Sequence, residues 1–156
     1  MKSQPTWLAL AGWIVLCFCA AATGAFVSVG GWYAELKKPS WNPPAWVFGP
    51  VWTTLYLMMA VSAWRIWRRG GWSMRRKELG LFLVQLALNA LWTPLFFGFH
   101  WPGVAFAEIV LLWVAIAVTV RVFYRVDRPA AWLLLPYLVW VSFASVLNAV
   151  LWRMNP

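Results

Sequence analysis

Five long apolar runs, separated by short polar connections, restrict this chain to one class of fold. They cover about residues 7–29, 46–66, 79–99, 103–124 and 131–152. Each is close to the roughly 20 residues that an α-helix needs to cross a hydrocarbon layer. The runs are continuously apolar rather than alternating, which disfavours a transmembrane β-barrel. We therefore expect an all-α membrane protein, a bundle of five transmembrane helices forming a single domain over residues 1–156.

The distribution of charge indicates how this bundle is oriented. The net charge is +9, but the cations stand at the ends of the apolar runs. They are therefore interpreted as topogenic charges and not as a nucleic-acid-binding surface. Ten cations lie on the side of the N-terminus, at Lys2 and in the 65–78 and 121–128 connections, and three lie on the other side. In a plasma membrane this bias predicts a cytoplasmic N-terminus and an external 30–45 connection.

The segment 32–56 combines aromatic residues and prolines at high density. It holds four tryptophans, two tyrosines and four prolines. Indole and phenol rings suit either the membrane interface or a pocket for an aromatic ligand. Because proline fixes the backbone, the connection is expected to be stiff. We interpret it as a lid with pocket walls attached, while Trp46 could also serve as an interfacial anchor.

Polar and aromatic residues share a face of the predicted third helix. Gln85 and Asn89 stand four apart, and Trp92 and Phe96 continue the same face. Hydrogen bonding between helices and contact with a ligand explain this stripe equally well.

The predicted fifth helix has a second face of this kind. Tyr137, Trp140, Ala144 and Leu147 lie on it, with Asn148 beside them. A small residue one turn from a large ring can form a slot for a flat ligand, or it can let another helix approach.

Conventional catalytic and metal-binding patterns are not found in the sequence. There is no Ser/His/Asp set, carboxylate pair or phosphate loop, and Cys17 and Cys19 point to different helix faces. His100 is interpreted as a loop histidine, and Glu108 lacks the ionisable partners of a proton relay. We expect no metal, and any chemistry must use aromatic residues or the reactivity of a ligand.

Four stretches of sequence together resemble one family. They read W-Y-x-x-L-x-K-P-x-W-x-P-P and F-x-P-V-W-x-x-L-Y within 32–56, Q-L-x-L-N-x-x-W-x-x-x-F-F in the third helix, and P-Y-x-x-W-x-x-x-A-x-x-L-N in the fifth. The set closely resembles a bacterial member of the TspO/MBR family, the translocator and tryptophan-rich sensory proteins formerly called peripheral benzodiazepine receptors. The likeness runs from the first helix to the C-terminus.

The resemblance implies a ligand class and a set of site residues. Family members are commonly homodimers that bind porphyrins such as protoporphyrin IX and haem, sterols, and benzodiazepine- or isoquinoline-type compounds, and no cofactor is required. With Tyr137 added from the fifth-helix face, the predicted ligand-binding residues are Trp32, Trp41, Trp52, Asn89, Trp92, Tyr137, Trp140, Ala144 and Leu147.

Three functions follow from this resemblance as hypotheses. The first is a membrane receptor or sensor for tetrapyrroles and benzodiazepine-type ligands. The second is a light-dependent porphyrin-degrading enzyme, because tryptophans matching Trp52 and Trp140 are implicated in such a reaction in some bacterial members. The third is a tetrapyrrole or sterol transporter, although the C-terminal segment LNAVLWRMNP lacks the central tyrosine of the sterol motif proposed for animal members. Some bacterial relatives lie in the outer membrane, so that location is an alternative to the plasma membrane.

Overall fold

The computed structural model describes residues 6–26 and 30–156, and most of them are helical. Five helical spans are long and apolar enough to cross a membrane, which confirms the predicted architecture. They are Thr6–Gly24, Ala45–Trp67, Gly71–Gly98, Pro102–Val126 and Arg128–Met154. The predicted end of the first helix at residue 29 and the cation Lys2 lie outside the described residues.

The described residues form seven α-helices, six of them within the five spans and one, α2, in the first connection. The helices are α1 Thr6–Ala21, α2 Gly31–Glu35, α3 Ala45–Trp67, α4 Gly71–Thr93, α5 Pro102–Val126, α6 Arg128–Leu133 and α7 Leu135–Met154. A 3₁₀ turn over Ala22–Phe26 continues α1, and a π-helical turn over Pro94–Gly98 continues α4. The wider π turn accommodates Pro94 at its start, because proline cannot donate the usual backbone hydrogen bond.

The third span begins earlier than the predicted residue 79. The tight turn before it depends on Gly70 and Gly71, whose φ angles of 141° and 65° favour glycine. From Gly71 the chain is helical at once, with a local break at Arg75. The cationic residues 75–77 were interpreted as part of a connection, but they form the first turns of α4.

The core of the bundle is built around α3, α4, α5 and α7. Its largest fully buried side chains include Phe82, Phe123, Met59 and Tyr137. The helix α1 packs against α3, and Cys17 is its one buried residue among those described. One side of α1 therefore remains without a protein partner along much of its length.

An ion cluster closes the bundle at the end opposite the first connection. Asp127 caps the N-terminus of α6 by accepting a hydrogen bond from the Ala130 N–H at 2.9 Å. The same carboxylate accepts hydrogen bonds from Arg65 at 3.0 Å and from Arg69 at 2.8 Å, both at the end of α3. This cluster ties α3 to the start of the last span.

At the opposite end, α5 and α7 approach each other closely. A Cβ atom added at Gly103 would lie 2.9 Å from the indole ring of Trp152. The Asn148 side chain also donates to the Pro102 carbonyl at 2.8 Å. Glycine at 103 thus lets the start of α5 contact the end of α7.

Candidate ligand-binding cavity

A cavity of about 570 Å³ lies in the half of the bundle next to the first connection. This volume is within the range of small-molecule sites, which is roughly 300–1,000 Å³. All five spans contribute to its wall, and α2 contributes one residue. The aromatic residues that line it are Phe18, Tyr33, Phe48, Trp52, Tyr56, Trp92, Phe96, Phe97 and Trp140.

The aromatic rings are held by contacts with one another. Trp52 and Tyr56 lie one turn apart on α3, and their ring centroids are 5.5 Å apart. Phe48 contacts Trp140 of α7 edge to face at 5.9 Å. Such contacts restrict the rings to orientations that leave flat apolar surfaces facing the cavity.

The π turn after α4 supplies a second group of rings. Trp92 stacks on Phe96 at 5.1 Å, with 20° between the ring planes. Phe97 contacts both of these rings edge to face. Because of the π turn, the consecutive residues Phe96 and Phe97 both line the cavity.

Asn89 is the centre of a buried hydrogen-bond chain beside the cavity. The Tyr56 hydroxyl donates to its side-chain oxygen, and its side-chain nitrogen donates to the Tyr137 hydroxyl at 2.8 Å. A buried amide is costly unless it is paired, so the two tyrosines fix the amide orientation. The chain links α3, α4 and α7 at the depth of the cavity.

A second amide fixes the orientation of Trp92. Its indole N–H donates to the Asn148 side-chain oxygen at 3.1 Å. The lining residues among the described part of the chain are apolar or neutral, and none carries a formal charge. The cavity therefore suits a largely apolar ligand that offers few polar groups.

The first connection covers one end of the cavity with Tyr33. The Tyr33 hydroxyl donates to the Asn42 side-chain oxygen at 3.2 Å, which joins the two arms of the connection. Burial raises the pKa of this phenol and outweighs the opposing effect of the Asn42 hydrogen bond. Tyr33 is therefore a neutral hydrogen-bonding group at physiological pH.

The connection is also fastened to the end of α7. The Asn155 side-chain oxygen accepts from the Lys37 backbone N–H at 2.9 Å, and its nitrogen donates to the Lys37 carbonyl at 3.0 Å. Lys38 caps the carbonyls of Ala34 and Leu36 and lies 4.7 Å from the centroid of the Tyr33 ring. Backbone and side-chain contacts thus hold the segment in place over the cavity.

Six of the nine predicted ligand-binding residues meet at this cavity. They are Trp52, Asn89, Trp92, Trp140, Ala144 and Leu147. Their role in binding a ligand remains a prediction. Tyr137 is fully buried behind the cavity wall, where it contacts two lining residues, Asn89 and Trp52.

The two tryptophans predicted from the first connection lie elsewhere. Trp32 stacks on His100 at 4.3 Å and contacts Phe96 from outside the cavity wall. Trp41 is about half exposed and contacts Phe143. Gln85 does not line the cavity either, although it shares the predicted stripe with Asn89.

Some lining residues were missed in the sequence although a signal for them existed. Phe48 and Tyr56 stand four residues before and after Trp52, and therefore share its helix face. Tyr33 could not be separated from its neighbour Trp32 by spacing, because a five-residue helix has no clear periodicity. Phe97 depends on the π turn, which places it beside Phe96 at the cavity.

Comparison with known proteins agrees with this architecture over almost the whole chain. The family model described as TspO/MBR family matches residues 7–153. The chain is 43% identical over 154 residues to the tryptophan-rich protein TspO of Chlorobaculum tepidum, covering 96% of this chain and 97% of that protein. It is 38% identical over 149 residues to the tryptophan-rich sensory protein of Cereibacter sphaeroides, covering 96% and 92%.

The similarity extends to animal proteins. The chain is 42% identical over 156 residues to the translocator protein of Homo sapiens, covering 97% of this chain and 92% of that protein. The matched region includes the five spans and the first connection. This chain therefore belongs to the TspO/MBR family and is an integral, multi-pass membrane protein.

Proposed function

We propose that this protein is a membrane receptor that binds tetrapyrroles such as protoporphyrin IX or haem in the cavity beside Asn89. The observation that carries the proposal is the cavity itself, which is lined by nine aromatic residues and has two asparagines on its polar side. A tetrapyrrole has a large flat π-system, and the rings of Trp52 and Trp140 can stack on it or meet it edge to face.

The charges near the cavity fit the same ligand class. The propionate groups of a porphyrin are anionic, and no cation is found among the described residues that line the cavity. Lys37 and Lys38 lie on the first connection, next to Tyr33, and can pair with carboxylates at that end. We therefore expect the ring system inside the cavity and the propionates toward the connection, with this segment acting as a lid.

The names of the relatives are compatible with this proposal. One relative is called a sensory protein and another a translocator protein. Benzodiazepine-type ligands, which are also flat and largely apolar, are proposed to share the cavity, and a homodimer is the proposed assembly.

Substitution at the cavity tests the receptor proposal. We expect Trp140→Ala to weaken protoporphyrin binding by about tenfold, because an aromatic pair contributes about 0.5–1.5 kcal/mol beyond the apolar area that it buries. The measurement is a titration that follows quenching of tryptophan fluorescence. Trp7→Ala is the matched control, because this indole on α1 is 66% exposed and faces away from the cavity. Equal dissociation constants for the two variants would reject the cavity as the binding site.

A light-dependent degradation of the bound porphyrin is the second candidate function. It is favoured by the presence of both Trp52 and Trp140 at the same cavity. A photoexcited porphyrin can oxidise a nearby indole, so no conventional acid or base is needed. We expect illumination of the complex to yield a new product spectrum, more slowly in Trp52→Phe than in wild type. Bleaching at the rate of free porphyrin in detergent would exclude this candidate while leaving the receptor proposal intact.

A further inference from the structure

A second, shallower groove lies on the outside of the bundle, at the end opposite the first connection. Its volume is about 410 Å³. It runs between α1, the end of α3 and the start of α4. Its wall consists of Leu8, Ala9, Gly12, Trp13, Leu16, Trp67 and Trp72. Every one of these side chains is apolar or aromatic, and the groove faces the side that a membrane would occupy.

The groove owes its shape to the turn between α3 and α4. Gly70 and Gly71 have positive φ angles, so α4 folds back sharply after Trp67. Trp72 is thereby brought next to α1, although it follows α3 in sequence. Gly12 leaves the middle of the α1 wall open, because a Cβ atom built there has no neighbour within 4 Å.

Cations stand at the end of this groove. Arg68 follows the lining residue Trp67 directly, and its guanidinium lies 4.8 Å from the centroid of the Trp64 ring. The Trp64 N–H donates to the carbonyl of Thr6 at 2.8 Å, so Arg68 is held beside the start of α1. Arg76 is exposed four residues after the lining residue Trp72, directly after the break at Arg75.

These two arginines have no acidic partner within residues 6–26 and 30–156. The two carboxylates at that end form ion pairs with other arginines: Asp127 pairs with Arg65 and Arg69, and Glu78 pairs with Arg75. An apolar groove that ends at unpaired guanidinium groups is complementary to a molecule with a long apolar chain and an anionic head.

We propose that the groove is a binding site for an anionic phospholipid. One acyl chain lies along Gly12 and Leu16 of α1, between Trp67 and Trp72. The phosphate and the anionic headgroup lie at Arg68 and Arg76. The two indoles stand near the headgroup level, which is where tryptophan is favoured in membranes.

A second copy of this chain fits the groove less well than a lipid. In a two-fold symmetric dimer within a membrane, equivalent ends of both copies lie on the same side. Arg68 and Arg76 of both copies would then approach one another, and like charges repel. An anionic lipid instead supplies the opposite charge.

Native mass spectrometry of the detergent-purified protein tests the proposal with dioleoylphosphatidylglycerol, and with dioleoylphosphatidylcholine as the neutral lipid. We expect a tight first binding event for the anionic lipid only. The double variant Arg68→Gln, Arg76→Gln should lose on the order of tenfold in affinity for it. The matched control Arg121→Gln, Arg125→Gln removes two exposed cations of the same end on α5, and should lose less than twofold. Equal losses in the two double variants would overturn the site.

The apolar part of the groove has its own matched pair of variants. Gly12→Leu places a side chain inside the groove and should abolish the tight binding event. Gly80→Leu is the control, because a Cβ atom at Gly80 also has no neighbour within 4 Å and Gly80 is outside the groove. Unchanged lipid binding in Gly12→Leu would overturn the proposal. A change from dimer to monomer with unchanged lipid binding would also overturn it, because it would identify the groove as a protein interface. Equal melting temperatures of the two glycine variants confirm that both are folded.

Discussion

Asp127 both caps a helix and pairs with two arginines. Its side chain is 1% exposed, yet it lies between two spans at the charged end of the bundle. It caps α6 through the Ala130 N–H and accepts hydrogen bonds from Arg65 of α3 and from Arg69 in the turn after α3. A buried carboxylate stays ionised at low cost only when it is paired in this way. The three contacts together fix the angle at which the last span leaves α5.

Two substitutions at Asp127 separate its roles. Asn is a good helix cap but cannot pair with the arginines, whereas Ala removes both functions. We expect Asp127→Asn to cost about 1–3 kcal/mol, because hydrogen bonds to charged groups are lost, and Asp127→Ala to cost about 1 kcal/mol more. Midpoints of thermal unfolding in detergent provide the measurement. Glu78→Gln is the control, since the Glu78 side chain, which pairs with Arg75 within α4, is less deeply buried than that of Asp127. An unchanged midpoint in both Asp127 variants would show that the cluster is not stabilising.

The ionisation of Asp127 links the stability of the bundle to pH. Burial alone would raise its pKa, but the hydrogen bonds from Arg65, Ala130 and Arg69 lower it below the ordinary value of about 3.9. The folded state therefore favours the carboxylate, which stabilises the fold above the ordinary pKa. This contribution is lost as the pH falls from about 4 through the lowered pKa. We expect the unfolding midpoint of wild type to decrease over this range more steeply than that of Asp127→Asn, and parallel curves would contradict this assignment.

At the scale of helices, the sequence predicts the spans well and their ends less well. The spans are long and apolar, and such segments have few alternatives in a membrane. The start of α4 at Gly71 was missed because Arg75, Arg76 and Lys77 break the apolar run, although a helix at a membrane surface tolerates cations. The sequence also does not predict which residues of the 32–56 segment face the cavity. Trp32 is held outside it by stacking on His100, and only the folded chain brings these two residues together.

The attachment of the first connection to α7 is the basis of a prediction about ligand exchange. Asn155 makes two hydrogen bonds to the backbone of Lys37. Because these bonds hold the proposed lid, we expect Asn155→Ala to raise both the association and dissociation rates of protoporphyrin several-fold, with a smaller change in affinity. Stopped-flow fluorescence measures both rates. Arg153→Gln is a nearby control that leaves these bonds intact, and identical rates in wild type and Asn155→Ala would show that the connection is no lid.

On the scale of the whole molecule, the two ends of the bundle differ in charge and in role. One end carries the Asp127 cluster, the cationic start of α4 and the outer groove. The other carries the aromatic cavity, the first connection and the Asn155 contacts. This separation agrees with the distribution of cations along the sequence and gives the molecule a defined polarity across a membrane.

The predicted orientation can be measured with two single cysteines. Lys37 and Arg76 are exposed at opposite ends of the bundle. In a background of Cys17→Ala and Cys19→Ala, we expect Lys37→Cys to react with a membrane-impermeant maleimide on intact cells. Arg76→Cys should react only after the membrane is permeabilised, because the positive-inside rule places its end in the cytoplasm. The reverse labelling pattern would show that the chain is inserted in the opposite direction.

The close approach of Gly103 to Trp152 limits how the sequence can diverge. Any side chain at 103 would collide with the indole of Trp152. It could be accommodated only if that ring moved away from α5, or if a smaller residue replaced Trp152. Trp152 in turn lies three residues before Asn155, which holds the first connection. The cost of a substitution at 103 is thus expected to depend on the side chain that already occupies position 152. The two positions are therefore expected to change in a fixed order, with a smaller residue at 152 before any side chain at 103.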